Sequence, residues 1–240
     1  MKRVFAWFVH AYTALGLVCA AVIAVLIVRG GDASFRWAFL LMMIATAIDA
    51  TDGWLARRAR VKEVLPGFDG RALDDLIDFH TYTTLPLLLL WRAGIPSADL
   101  AWFLVVPLLA SAYGFSQVNA KTDDGFFLGF PSYWNVVAFY LYLLQPAAAI
   151  SAFIIALFAV LTFVPTRYLY ATRGGPFAAV INVGAPIWFG MLAVALLDRG
   201  ATGTIMARLS LFYPVMYLTL SGHATRRASG ATIASTTRRG

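Results

Sequence analysis

LLMMIATAIDATDGWLARRARVKEVLPGFDGRALDDLID, residues 40–78, sets the problem. An apolar run ends on acids, a basic loop follows, and a second acidic patch leads into the next apolar run. Residues 49–78 hold Asp49, Asp52, Glu63, Asp69, Asp74, Asp75 and Asp78. These are seven of the 12 acidic residues in a chain that is 60% hydrophobic. Asp49 and Asp52 lie three apart at the end of an apolar helix, and Asp74 and Asp78 lie four apart at the start of the next. Either spacing puts both acids on one helix face. The short connecting loop makes the two helices antiparallel neighbours, so the acidic faces point at each other. Four carboxylates at a membrane edge repel one another and are costly to dehydrate. Arg57 offers one compensating charge, and four acids need more. Oxygen-only ligation suits hard cations, Mg²⁺ or Mn²⁺. Four carboxylates suit two such ions, as in two-metal phosphoryl transfer.

The plainer reading is a solvated loop of ion pairs with Arg58, Arg60, Lys62 and Arg71. Glu63 and Asp69 read best that way, and so does Asp75, which is off the face shared by Asp74 and Asp78. Asp49 and Asp52 do not, because the run LLMMIATAI leads straight into them. Acids inside a membrane helix point to function.

Composition agrees with a membrane setting. Only 13% of residues are charged, against about 25% in soluble domains, and the mean hydropathy is +0.74. The expected fold is an all-α integral membrane protein, a polytopic bundle of about eight transmembrane helices. Windows of about 20 apolar residues give spans at 4–28, 35–56, 73–92, 98–118, 133–146, 148–165, 177–197 and 203–221. The first has a basic start like a signal peptide, but its apolar run exceeds the roughly 7–15 residues of a signal h-region, so it reads as a retained span. With an inside N-terminus, 14 of the 19 Lys and Arg fall in cytoplasmic segments, four fall outside, and Arg208 lies within the last span. That bias predicts cytoplasmic termini and a cytoplasmic site. The net charge of +7 then reads as topology signal and attraction to anionic lipid, with no nucleic-acid partner. Cys19 is the single cysteine, which excludes a disulfide framework and a thiolate cluster. Residues 1–222 form one transmembrane domain. The basic stretch 223–240 is expected as a disordered cytoplasmic tail.

Asp49-x-x-Asp52-Gly53-x-x-Ala56-Arg57 followed by Gly70-x-x-x-Asp74-x-x-x-Asp78 resembles the signature of the CDP-alcohol phosphotransferase family. All eight signature positions match. The gap between Arg57 and Gly70 is longer than in many members. The likeness extends through VHAYTALG near the start, RRARVKEVLPGFDGRALDDLIDF, and AKTDDGFFLGFPSYWNVVAFYL at 120–141. It is strongest to bacterial members whose acceptor alcohol is choline. His80 and Thr81-Tyr82-Thr83-Thr84 follow the motif where a more apolar run is expected.

The resemblance implies transfer of a phosphatidyl group from CDP-diacylglycerol to the alcohol, with release of CMP, at a bacterial inner membrane. It implies two Mn²⁺ or Mg²⁺ ions on Asp49, Asp52, Asp74 and Asp78, with Asp78 as general base. Asp49, Asp52, Gly53, Ala56, Arg57, Gly70 and Asp74 would bind CDP. Homodimers occur in the family, so the resemblance extends that expectation here. The partners are CDP-diacylglycerol, choline and membrane lipids. A quaternary ammonium is held by aromatic faces and carboxylates, which nominates Phe79, Tyr82, Tyr113, Tyr133 and Trp134. Serine, glycerol 3-phosphate or an inositol remain alternative acceptors, with Arg167 or Arg208 to meet their charge. A cation transporter is the remote alternative.

Two further features carry alternative readings. His10, with Thr13 on its face, is either a satisfied membrane-helix histidine or part of the substrate pocket. Asn119, Lys121, Asp123 and Asp124 form either a solvated loop or a lid.

Overall fold

Helix α1 (Lys2–Arg29) shows what kind of solvent this chain folds in. Ala6, Val9, His10, Thr13, Gly16, Ala20, Ile23 and Ile27 are buried, a recurrence of three or four that marks one packed face. The opposite face is not polar: Phe5, Phe8, Leu15, Val18, Val22 and Val25 stand exposed. A helix apolar all round belongs in lipid.

The structure is a computed structural model. It describes every residue except Asp123, 171–173, 175–176 and 238–240, and the backbone alone for 227–237. Asp123 of the expected lid loop and the last three residues of the expected tail therefore lie outside the described residues. The chain divides into two compact units, residues 1–108 with 133–153, and residues 109–132 with 154–240.

The first unit carries the acids. Helix α2 (Asp32–Arg58) returns against α1, and Tyr12 Oη meets Thr51 Oγ1 at 2.8 Å. A short helix α3 (Val61–Val64) lies in the long loop after Arg57. Val61 and Leu65 bury themselves against Ala6 and Val9 of α1, so the extra loop length folds back on the scaffold. Helix α4 (Gly70–Asp78) follows, capped by the Asp69 carboxylate, which accepts from the Arg71 and Ala72 backbone N–H groups. A π-helical turn, Phe79–Thr84, leads into α5 (Leu85–Arg92). A 3₁₀ segment, Ala98–Leu104, runs into α6 (Val105–Phe115), which belongs to the second unit from residue 109 on, and α7 (Trp134–Leu144) completes the first unit's core.

The second unit holds a feature that the all-α expectation lacked. Strands β1 (Phe126–Leu128) and β2 (Arg167–Leu169) pair antiparallel, with Phe127 opposite Tyr168. After α8 (Ala148–Leu161) and β2 come α9 (Ala178–Leu197), α10 (Ala201–Ser210) and α11 (Phe212–Thr237). Hydroxyls of α11 serve the strand backbone: the Arg167 N–H donates to Thr225 Oγ1 at 2.8 Å and the Leu169 N–H to Ser221 Oγ at 3.2 Å. Helix α11 runs on to Thr237, through most of the segment expected as a disordered tail.

Each expected span contains helix, but the count of eight crossing helices does not carry over. Among the described residues, four stretches are long and apolar enough to cross: Lys2–Arg29, Asp32–Arg58, Ala98–Phe115 and Ala178–Leu197. Helices α7 and α8 are apolar and shorter. The other differences have local causes. The expected span 203–221 breaks at Leu211, because Pro214 has no N–H for the Ser210 carbonyl four residues back and its ring crowds that position. The short fifth span ends at Gln145, which takes φ 44° just before Pro146. The residue before a proline is disfavoured from continuing a helix. The expected span 73–92 is interrupted by the π turn.

Gly129 is fixed by both conformation and space. Its φ is +80°, and a Cβ there would stand 2.3 Å from the Thr162 carbonyl oxygen. Gly129→Ala is expected to destabilise by about 1–3 kcal/mol. Gly190→Ala, within α9 and with nothing inside 4 Å of the added atom, should be neutral or stabilising by up to about 1 kcal/mol. Thermal unfolding of both variants in one detergent checks the contrast.

Candidate active site at the junction of α2 and α4

Carboxylate oxygens of Asp49, Asp74 and Asp78 lie within 4.8 Å of one another, each residue partly buried. The helices explain the convergence. Asp74 and Asp78 are one turn apart on α4, and Asp49 comes from the last turns of α2. Asp52, three residues on from Asp49, is 5% exposed and stands outside the group of three. Three oxygens at this spacing suit a hard divalent cation, with distances that close onto an ion once it is bound. The donor set therefore fits the expected metals.

Of the other acids in the stretch, Asp75 pairs with Arg71 at 3.6 Å, as its off-face position predicts. Asp69 is a helix cap, a role that its place one residue before Gly70 allowed and the loop reading missed. Glu63 is exposed.

The residues expected around the nucleotide separate by environment. Arg57 is exposed near the end of α2. A Cβ on Gly53 would come 3.3 Å from its guanidinium, so the missing side chain keeps that strip open. Ala56 is partly buried and packs against the Ala6–Val9–Val61–Leu65 cluster. Gly70 lies against α1. A Cβ there would sit 2.5 Å from His10 Cε1. The His10 ring packs at 4.4 Å from Phe68, with Trp7 edge-on at 5.9 Å. His10 is buried, and its Nε2 has no hydrogen-bond partner among the described residues. Gly70 is thus a contact between α4 and α1, and His10 is the residue it accommodates.

The aromatic residues expected around choline also separate. Tyr82 is 7% exposed, and its hydroxyl donates to Asp49 Oδ2 at 2.7 Å. Its ring centroid is 6.0 Å from that of Tyr133. Phe79 is partly buried at the start of the π turn. Trp134 is fully buried in the core. Tyr113 belongs to the second unit, where its ring lies tilted against Phe163 at 4.8 Å.

Sequence reasoning missed the bond from Tyr82 to Asp49, although a signal was present: 74, 78 and 82 are spaced by four. It also missed Thr46 and Asn135, whose side chains join at 3.1 Å one turn before Asp49.

In the second unit, Lys121 Nζ lies over the Phe127 and Tyr170 rings. Arg167 pairs with Asp124. The Thr122 hydroxyl first, and Arg167 after it, hold the Asp124 carboxyl below the usual range. Arg208 is exposed in the last turn of α10.

The sequence profile of CDP-alcohol phosphatidyltransferase matches residues 9–165. The chain is 38% identical over 232 residues to a phosphatidylcholine synthase of Legionella pneumophila, covering 92% of this chain and 88% of that one. It is 35% identical to a phosphatidylcholine synthase of Legionella bozemanae, over 80% of this chain and 92% of that one. A phosphatidylcholine synthase of Pseudomonas aeruginosa is 37% identical over 70% of each chain.

The contact between Gly70 and His10 is testable by a double-mutant cycle. Gly70→Ala is expected to cost about 1–3 kcal/mol by overpacking. Combining it with His10→Ala should recover part of that loss, a coupling of about 1 kcal/mol between touching residues. Unfolding temperatures of the two single variants and the double variant measure it.

Proposed function

The chain belongs to the CDP-alcohol phosphatidyltransferase family, and from that premise we propose that it transfers the phosphatidyl group of CDP-diacylglycerol to choline and releases CMP. The observation that carries this reading is the convergence of Asp49, Asp74 and Asp78 inside the matched region. The names of the relatives supply the acceptor.

In this reading Asp49, Asp74 and Asp78, with Asp52 one turn away, hold two divalent ions, Mn²⁺ or Mg²⁺. Bound there, such ions supply charge neutralisation for the departing phosphate and polarise the phosphorus. The protein's own groups do the rest. Arg57, with the open strip beside Gly53, receives the phosphates of CDP, and a guanidinium suits that task because its donors form a planar fork. Asp78 takes the proton of the choline hydroxyl as the choline oxygen forms its bond to phosphorus. The bond from that phosphorus to the CMP oxygen breaks, and CMP carries the electron pair away. Phe79, the residue after Asp78, and Tyr133, whose ring centroid lies 6.0 Å from that of Tyr82, are assigned to the choline ammonium.

The exposed apolar faces of the helices place the protein in a membrane. The finer arrangement is part of the proposal: both termini and the site on the cytoplasmic side of a bacterial inner membrane, and a homodimer. One transferase domain spans residues 1–222, and the basic segment 223–240 lies beside anionic lipid.

The experiment uses purified protein, CDP-diacylglycerol and Mn²⁺ or Mg²⁺. CMP release is followed with choline, serine, glycerol 3-phosphate or inositol as sole acceptor. Choline-dependent CMP is expected, and Asp78→Asn should reduce its rate by about 10²–10⁴-fold. CMP release with another alcohol in place of choline would keep the chemistry and overturn the acceptor. No CMP with any of the four would overturn the transferase reading.

A further inference from the structure

We infer that Tyr82 is a positioning residue for the metal site: its hydroxyl fixes the Asp49 carboxylate in the orientation that faces Asp74 and Asp78. The inference rests on the proposed reading of Asp49 as a metal ligand and goes beyond it to a residue outside the signature motif.

Three observations point the same way. The Tyr82 hydroxyl donates to Asp49 Oδ2 at 2.7 Å across 33 residues of chain. An O–H to carboxylate bond of this length is charge-assisted and stronger than a neutral one. The residue is 7% exposed, so the bond is shielded from competing water. Finally, Tyr82 sits inside the π-helical turn Phe79–Thr84. A π turn is uncommon and is found most often at functional sites, because it changes the direction in which the following side chains leave the helix. Here it begins immediately after Asp78, and within it Tyr82 reaches across to α2.

One turn before Asp49, Asn135 of α7 donates to Thr46 Oγ1 at 3.1 Å. The Tyr133 ring lies against the Tyr82 ring. A carboxylate offers about four lone-pair sites, so a bond from the tyrosine is compatible with a cation on the same group. Partners of this kind orient metal ligands, and their loss typically costs 10–100-fold in metal affinity.

This assignment replaces the expectation that Tyr82 contacts choline, and the two predict different responses. Tyr82→Phe removes one oxygen and keeps the ring that packs on Tyr133. Mn²⁺ binding to the substrate-free protein in detergent, read by the loss of the free-ion electron paramagnetic resonance signal, should weaken by about 10–100-fold. The KM for Mn²⁺ in CMP release should rise in parallel, and the KM for choline should stay within twofold. An unchanged Mn²⁺ Kd in Tyr82→Phe overturns the inference. A rise in the choline KM with an unchanged Mn²⁺ Kd also overturns it and restores the choline contact. Asp49→Asn in the same titration separates the two levels: if it binds Mn²⁺ as the unaltered protein does, the metal reading of Asp49 fails whatever Tyr82→Phe shows.

Discussion

Mutual repulsion among three carboxylates governs this structure. With oxygens within 4.8 Å of one another, each ionised pair repels by about 3–4 kcal/mol at the effective dielectric of a partly buried site. Nothing in α2 or α4 alone holds such groups together. The scaffold that does so is α1, which packs along both helices. Gly16 of α1 brings the chain so close to α4 that a Cβ would meet Ile77 Cγ2 at 2.7 Å. Six residues earlier on α1, His10 fills the space left by Gly70 at the start of α4. Val61 and Leu65 close the end of the loop against Ala6 and Val9. Val61 and Leu65 are loop residues that would otherwise meet water, so each contributes about 1.5–3 kcal/mol by burial, while the close contacts at Gly16 and Gly70 hold α4 to α1 by packing.

The same constraint explains why the third apolar stretch is not one uniform helix. A span that begins with Asp74 and Asp78 must present acids at one end and lipid-facing or packed leucines at the other. The π turn lies between those two tasks. Before it, α4 has a polar face toward α2 and an apolar one carrying Ile77. After it, Leu85, Leu87, Leu89 and Leu90 of α5 are all buried. A change of winding at residue 79 lets the two segments keep different faces inward.

How much of this was legible depends on the range over which the signal acts. The spacings 49/52 and 74/78 are local, and helical geometry converts them directly into shared faces. The antiparallel return of α2 on α1 follows from two apolar runs joined by Gly30 and Gly31. The bond from Tyr82 to Asp49 was not legible, because nothing in the sequence announces a π turn. The packing of Gly70 on His10 was not legible either, because the two are 60 residues apart. Strands β1 and β2 are three residues each and pair across about 40 residues, too short for an alternation to show. The break at Pro146 is legible, since the short run 133–146 ends on that proline, whereas the break at Pro214 lies inside an apolar run, and hydropathy does not register a missing N–H.

Charge balance gives the acids their meaning. If all three are ionised they carry three negative charges, and one arginine leaves them two short. The nearby cations have other engagements: Arg71 pairs with Asp75, and Arg58 lies over the Trp54 ring. A hydrogen bond from Tyr82 orients a carboxylate without neutralising it. Protonation would lower the charge but would also remove oxygen lone pairs from a group that the surrounding packing goes far to assemble. A small divalent ion resolves the conflict differently, since it adds two positive charges and uses the lone pairs. That is the physical reason for reading Asp49, Asp74 and Asp78 as ligands, and it holds independently of any relative's name.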